Sequence, residues 1–177
     1  PREVKAYAQY QLGALLGFCK AAGVPLAHVK PHGAMYNMAG KDPALARAVC
    51  EGIAEVDAGL ILLALSGSAM ISAAEECGLP VAREVFADRA YEEDGSLVAR
   101  TKPGAMITDE DQAIARVVGM VTKGAVRAVT GREIPLTADS VCVHGDGEKA
   151  LAFARNIRAA LEENGVTVRA LGQTAGR

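Results

Sequence analysis

Three short groups in this 177-residue chain combine side chains capable of polar chemistry, and each directly follows an apolar stretch. The first is Lys30-Pro31-His32-Gly33, with Tyr36 and Asn37 just beyond. The second is Asp88-Arg89, with Arg100 further along the same polar segment, and the third is His144-Gly145-Asp146. His32 could act as acid or base, as a metal ligand, or as a donor to a developing oxyanion. Its plainer role is that of a loop histidine bonded to backbone. Lys30 suits a carboxylate or phosphate as a point charge, or else is a solvated strand terminus. Arg89 could grip a carboxylate with two parallel N–H bonds while Asp88 serves as base or ligand, or the two could pair with each other. His144 and Asp146, two apart across a glycine, could point into one pocket as ligands or as a base pair. Asp146 could equally cap the helix that follows.

Other reactive residues read as structural. His28 falls inside a strand and is expected to be a satisfied core or sheet-face histidine, and Cys142 is expected to pack. Ser66 and Ser68 flank Gly67 and are expected to cap a helix. No G-x-x-x-x-G-K-[ST] pattern occurs, so a nucleotide would not be held by a P-loop.

The elements that must position these groups alternate in type. Residues 3–22 carry apolar positions at helical spacing (Val4, Ala8, Leu12, Leu15, Leu16, Cys19) and run into Gly23 and Pro25. A strand is expected over 26–30, ended by Pro31, which removes a backbone donor. Asp42 followed by Pro43 predicts a helix start, with Leu45, Val49, Ile53 and Val56 as its buried stripe. The apolar run 60–65 predicts a strand buried on both faces. A helix to about Cys77, a strand over 81–87 and a long polar loop over 89–107 follow. Thr108 with Asp111 predicts a capping box for a helix reaching Lys123. Segment 125–139 reads as a connection with a turn at 130–131. A strand over 140–144 precedes a helix over about 148–164 that buries Leu151, Ala154, Ile157 and Leu161, and 166–171 reads as a last strand.

Strand, loop and helix repeated in this way predict an α/β fold with a parallel sheet or barrel and helices outside. In such a fold the strand ends carrying Lys30, Ser66, Asp88 and His144 share one rim. Residues 1–177 are expected to form a single domain. The formal net charge is −2 with acids and bases interleaved, which argues against nucleic acid or an anionic membrane surface as partner. The longest apolar run is too short to cross a bilayer. Four cysteines without a C-x-x-C pair read as reduced, buried thiols of a cytoplasmic protein. No signal-peptide pattern opens the chain.

Residues 29–37 read V-K-P-H-G-A-M-Y-N, residues 84–91 read E-V-F-A-D-R-A-Y with Gly95, Leu97 and Arg100 after them, and residues 138–146 read A-D-S-V-C-V-H-G-D. These blocks, with Tyr10 to Leu15 ahead of them, resemble in order the signatures of the LamB/YcsF family. Met35 stands where leucine is usual, a volume-conserving change, and Glu148 where proline is common. The resemblance implies a seven-stranded β/α barrel of the sugar-deacetylase kind, of which this chain supplies the C-terminal four or so strands. Family members carry roughly a further third of chain in front, so the numbered chain is expected to be incomplete, with an open sheet edge. The implied activity is that of a 5-oxoprolinase: ATP-dependent opening of 5-oxo-L-proline to L-glutamate, together with partner subunits B and C.

On that reading His32, Asp88, His144 and Asp146 form the catalytic set. Lys30, Arg89, Arg100, Tyr36 and Asn37 bind substrate or phosphate. Two alternatives stay open: a metal-dependent hydrolase whose divalent ion is held by His32, Asp88, His144 and Asp146, and a non-catalytic subunit that binds a small carboxylate. Assembly as a homo-oligomer is compatible with either.

Overall fold

A computed structural model describes residues 1–145 and 148–173. The chain divides into two compact units, Pro1–Ala82 and Arg83–Gly176, with the division falling inside a strand.

The first unit opens with α1 (Arg2–Ala22). Gly23 ends it at φ 67°, and its left-handed turn lets the N–H groups of Gly23 and Val24 close on the carbonyls of Lys20 and Cys19. Strand β1 is only His28–Val29, shorter than expected, because Pro31 cannot donate to a ladder. A helix not foreseen from the sequence follows, α2 (Gly33–Ala39), seven residues long. Its apolar spacing is too short to register as a period, although Gly33 at φ 61° marks its sharp entry. Helix α3 (Pro43–Val56) starts as predicted: Asp42 accepts from Ala44 N–H at 2.8 Å and Leu45 N–H at 3.2 Å. Helices α1 and α3 pack closely, and a side chain at Gly52 would come within 3.0 Å of the Lys5 carbonyl. Strand β2 (Ile61–Leu65) is buried at all five residues and pairs in parallel with β1, His28 opposite Ile61. The last helix of this unit is α4 (Ala69–Glu76). Ser68 stands at its N-cap position but makes no side-chain cap bond, against expectation, and its buried hydroxyl has no partner among the described residues. Ser66 is buried as well.

The second unit takes up β3 (Val81–Phe86), which pairs in parallel with β6 (Ser140–Cys142). The segment read as a long polar loop is folded rather than extended. Ala90, Val98 and Ala105 make a small buried cluster with Ile107 against it. Backbone bonds from Ala90 N–H to Ala105, from Val98 N–H to Ala90 and from Ile107 N–H to Asp88 hold it. Helix α5 (Glu110–Lys123) is capped by Asp109, which accepts from Gln112 N–H at 2.8 Å, one residue later than the predicted Thr108. Segment 125–139 holds a hairpin in place of the expected plain connection: β4 (Ala125–Arg127) and β5 (Glu133–Pro135) run antiparallel. Each strand has three residues and one inward side chain, Val126 or Ile134, too few to show alternation. Helix α6 (Ala150–Glu163) buries Ile157 and Leu161, whereas Leu151 is 65% exposed and Ala154 is exposed too, so the inward stripe is narrower than predicted. Residues 166–170 form no strand, and a short 3-10 helix, Leu171–Gln173, follows. Both units thus show the α/β class with parallel strands.

Candidate functional site

The register of β3 and β6 builds the more ordered of two polar clusters. Glu84, Val85 and Phe86 lie opposite Ser140, Val141 and Cys142, an offset of 56 residues. Two residues beyond each strand, the same offset puts Asp88 beside His144, and their side chains meet with Asp88 Oδ2 2.6 Å from His144 Nδ1. Ala87 N–H to the Cys142 carbonyl, at 3.2 Å, carries the pairing up to this level. The other ring nitrogen, Nε2, lies 2.9 Å from Arg100 Nη2.

That chain of contacts determines the tautomer. A guanidinium has only donors and does not deprotonate, so Nε2 must present its lone pair to Arg100. The tautomer that satisfies both contacts carries its proton on Nδ1, donated to the Asp88 carboxylate, so the imidazole is oriented by an acid. The second carboxylate oxygen of Asp88, Oδ1, is buried without a partner among the described residues. The Phe86 ring lies 6.1 Å from the imidazole, tilted by 35°, and walls one side.

The strand end is held rigidly. Tyr91, almost fully buried, accepts from Phe86 N–H at 2.8 Å through its hydroxyl oxygen. Burial pushes its phenol up to about 12. Arg116 donates twice to the Arg89 carbonyl, at 3.2 and 3.3 Å. Arg89 does not reach outward as a clamp: it is buried and donates to the Val98 carbonyl at 2.6 Å, with Nε unpartnered among the described residues. Burial and the nearby Arg100 cation both hold its pKa below the usual arginine range. A cavity of about 230 Å³ opens beside the pair, lined by Asp88 and His144 with Thr108, Glu110, Lys149 and Phe153. Asp146, the remaining predicted group of this cluster, lies outside the described residues.

The second cluster belongs to the first unit. Lys30 Nζ sits 5.7 Å from the centre of the Tyr36 ring, a cation–π arrangement, and Tyr36 is buried. Asn37 turns back to donate to the Gly33 carbonyl at 3.0 Å, closing the first turn of α2 instead of facing a ligand. His32 is exposed at the N-cap position of α2. His28 is exposed too, which rules out the core half of its expected place and leaves it on the face of a two-residue strand that covers little. It lines the same cavity of about 330 Å³ as His32, Lys30 and Gln11.

The structure therefore joins Asp88, His144 and Arg100 in direct contact and gives Arg89 a supporting role. Sequence reasoning gave no anchoring role to Tyr91 or Arg116; of the two only Tyr91 stood in a signature block, as its last residue. Among the described residues no group of three or more His, Cys, Asp or Glu is placed to hold a metal ion. Nor is any described helix long and apolar enough to cross a membrane. The four cysteines are free, and burial raises the Cys50 thiol to about 12.

Comparison with known proteins agrees with this architecture. A solved lactam utilization protein from Thermus thermophilus superposes with a TM-score of 0.86 at 45% identity, over 96% of this chain and 68% of its own. The 5-oxoprolinase A subunit of Clostridium beijerinckii is 63% identical over 95% of this chain and 66% of its own length. That of Pyrococcus abyssi is 55% identical over the same shares, 95% and 66%. The chain thus spans about two thirds of the curated relatives it matches. The LamB/YcsF family model matches residues 1–176, and this chain belongs to the LamB/YcsF family.

Proposed function

We propose that this chain takes part in the ATP-dependent hydrolysis of 5-oxo-L-proline to L-glutamate, as the A subunit of a 5-oxoprolinase working with subunits B and C. The observation that carries the chemistry is the 2.6 Å contact between Asp88 and His144, which orients the imidazole as a water-activating base requires. The relatives named as 5-oxoprolinase A subunits, at up to 63% identity, supply the substrate.

A lactam is a poor electrophile, and glutamate recloses readily. Transfer of the γ-phosphoryl group of ATP to the lactam oxygen releases ADP and makes the carbonyl carbon electrophilic. Water adds to that carbon as His144 Nε2 takes its proton, and Asp88 stabilises the imidazolium that forms. The ring C–N bond then breaks and the nitrogen takes a proton, leaving an acyl phosphate that a second water cleaves to glutamate and phosphate. Two cations are available to an anionic group, either the substrate carboxylate or the transferred phosphoryl: Arg100, in contact with His144, and Lys149, at the cavity wall.

The test is glutamate release by the chain assembled with subunits B and C, with and without ATP, for wild type and His144→Gln. Glutamine keeps hydrogen bonding but cannot take a proton, so a fall on the order of 10²- to 10⁴-fold is expected. Undiminished turnover by the variant would sink the assignment. Turnover without ATP that disappears on chelation would favour the metal-dependent alternative instead.

A further inference from the structure

The arrangement that makes His144 a base also blocks it. Its only free lone pair, on Nε2, is taken up by Arg100 at 2.9 Å. We propose that Arg100 is an anion-released cap on this base: it holds Nε2 in the free protein and leaves it for the carboxylate of the incoming substrate. The inference rests on the proposed function only for which carboxylate arrives.

Three observations support the exchange. Arg100 is exposed, in a segment whose neighbouring turn is closed by Lys102 N–H to the Ala99 carbonyl, so its side chain can swing without unpacking a core. Arg89 is close enough that the two cations disfavour one another, while Asp88 is the acid in direct contact with His144. Finally, an imidazole nitrogen is a neutral acceptor. A carboxylate competing for the same guanidinium is itself charged and can accept two parallel N–H bonds, where the imidazole offers one lone pair and no charge. Substrate binding and base activation then become one event: the carboxylate draws Arg100 off, and Nε2 is bare when the lactam is in place. Water activation with no substrate bound is suppressed by the same contact.

Nitrogen-15 NMR of the imidazoles tests this directly, because the chain has only three histidines, and His28→Gln and His32→Gln variants assign the third. In the free chain His144 is expected to carry its proton on Nδ1, with Nε2 shifted upfield as a hydrogen-bonded acceptor. In Arg100→Ala the Nε2 signal should already sit at the uncapped position. Adding 5-oxo-L-proline or acetate to the wild type should move Nε2 to that same position. Pyrrolidin-2-one, the ring without the carboxylate, should not, and Arg100→Ala should not respond to any of the three.

In the assembled enzyme Arg100→Ala should raise KM for 5-oxo-L-proline by about 10- to 100-fold, the loss of one charge-assisted contact, with a smaller effect on kcat. A proton found on Nε2 in the free chain overturns the inference, as does a wild-type Nε2 signal that neither carboxylate moves. Release by acetate but not by 5-oxo-L-proline upholds the cap and removes the substrate reading, so the two fail separately.

Discussion

The two strand ends that carry histidines are built by opposite means. After β3, Asp88 is locked by its own backbone, by Tyr91 beneath it and by the parallel register that delivers His144 at 2.6 Å. After β1, the ladder is two residues long, and His28 and His32 are exposed around a wider cavity of about 330 Å³. Lys30 there rests against an aromatic face, and Asn37 is spent on its own helix. The difference shows that a histidine at the end of a strand is not by itself an oriented group. What orients it is a second strand in register, with an acid at the same level and a buried anchor below.

The largest effect that could break this contrast is kinetic. His144→Gln should cost the assembled enzyme far more turnover than His32→Gln, and equal losses in steady-state glutamate release would mean that both strand ends do chemistry. Next in size, Asp88→Asn keeps the shape but removes the charge that holds the Nδ1 tautomer. A fall in kcat on the order of 10²-fold is expected, with nitrogen-15 shifts showing a mixture of tautomers.

Smaller effects should appear in stability. Tyr91→Phe leaves a buried Phe86 N–H without its acceptor, and a loss of about 1–3 kcal/mol is expected from urea midpoints. Asp42→Ala removes the cap of α3 in the other unit and should cost about 1 kcal/mol by the same measurement, without touching His144. A pH series sharpens the picture further. Burial raises the Tyr91 phenol and the Cys50 thiol each to about 12, above their ordinary values, so the folded chain binds more protons than the unfolded one between about 9 and 12. The stability these groups contribute is complete below their unfolded pKa values and is lost as pH rises through that window. Tyr91→Phe should flatten part of the alkaline decline, and an unchanged slope would contradict the burial of the phenol.

Much of this molecule can be read from its residues because the causes are local. The all-apolar run of β2 has only one comfortable place, between two covered faces, and Asp42-Pro43 starts a helix wherever it is put. The three signature blocks, including Asp88, Arg89 and His144, likewise identify themselves by order and type, and the matches to relatives bear out the family they resemble. Short elements escaped for the converse reason: α2, β4 and β5 are too brief to repeat any period, and their stability comes from what they pack on.

Three things were decided only in the folded chain. The register of β3 on β6 brought residues 56 apart to one level, an offset that no local pattern encodes. The folding of 89–107 around Ala90, Val98 and Ala105 turned Arg89 inward and Arg100 onto His144, although in sequence the two arginines look alike. And the tautomer of His144 follows from having an acid on one nitrogen and a guanidinium on the other, since it is a property of the ring's partners and not of its residue type.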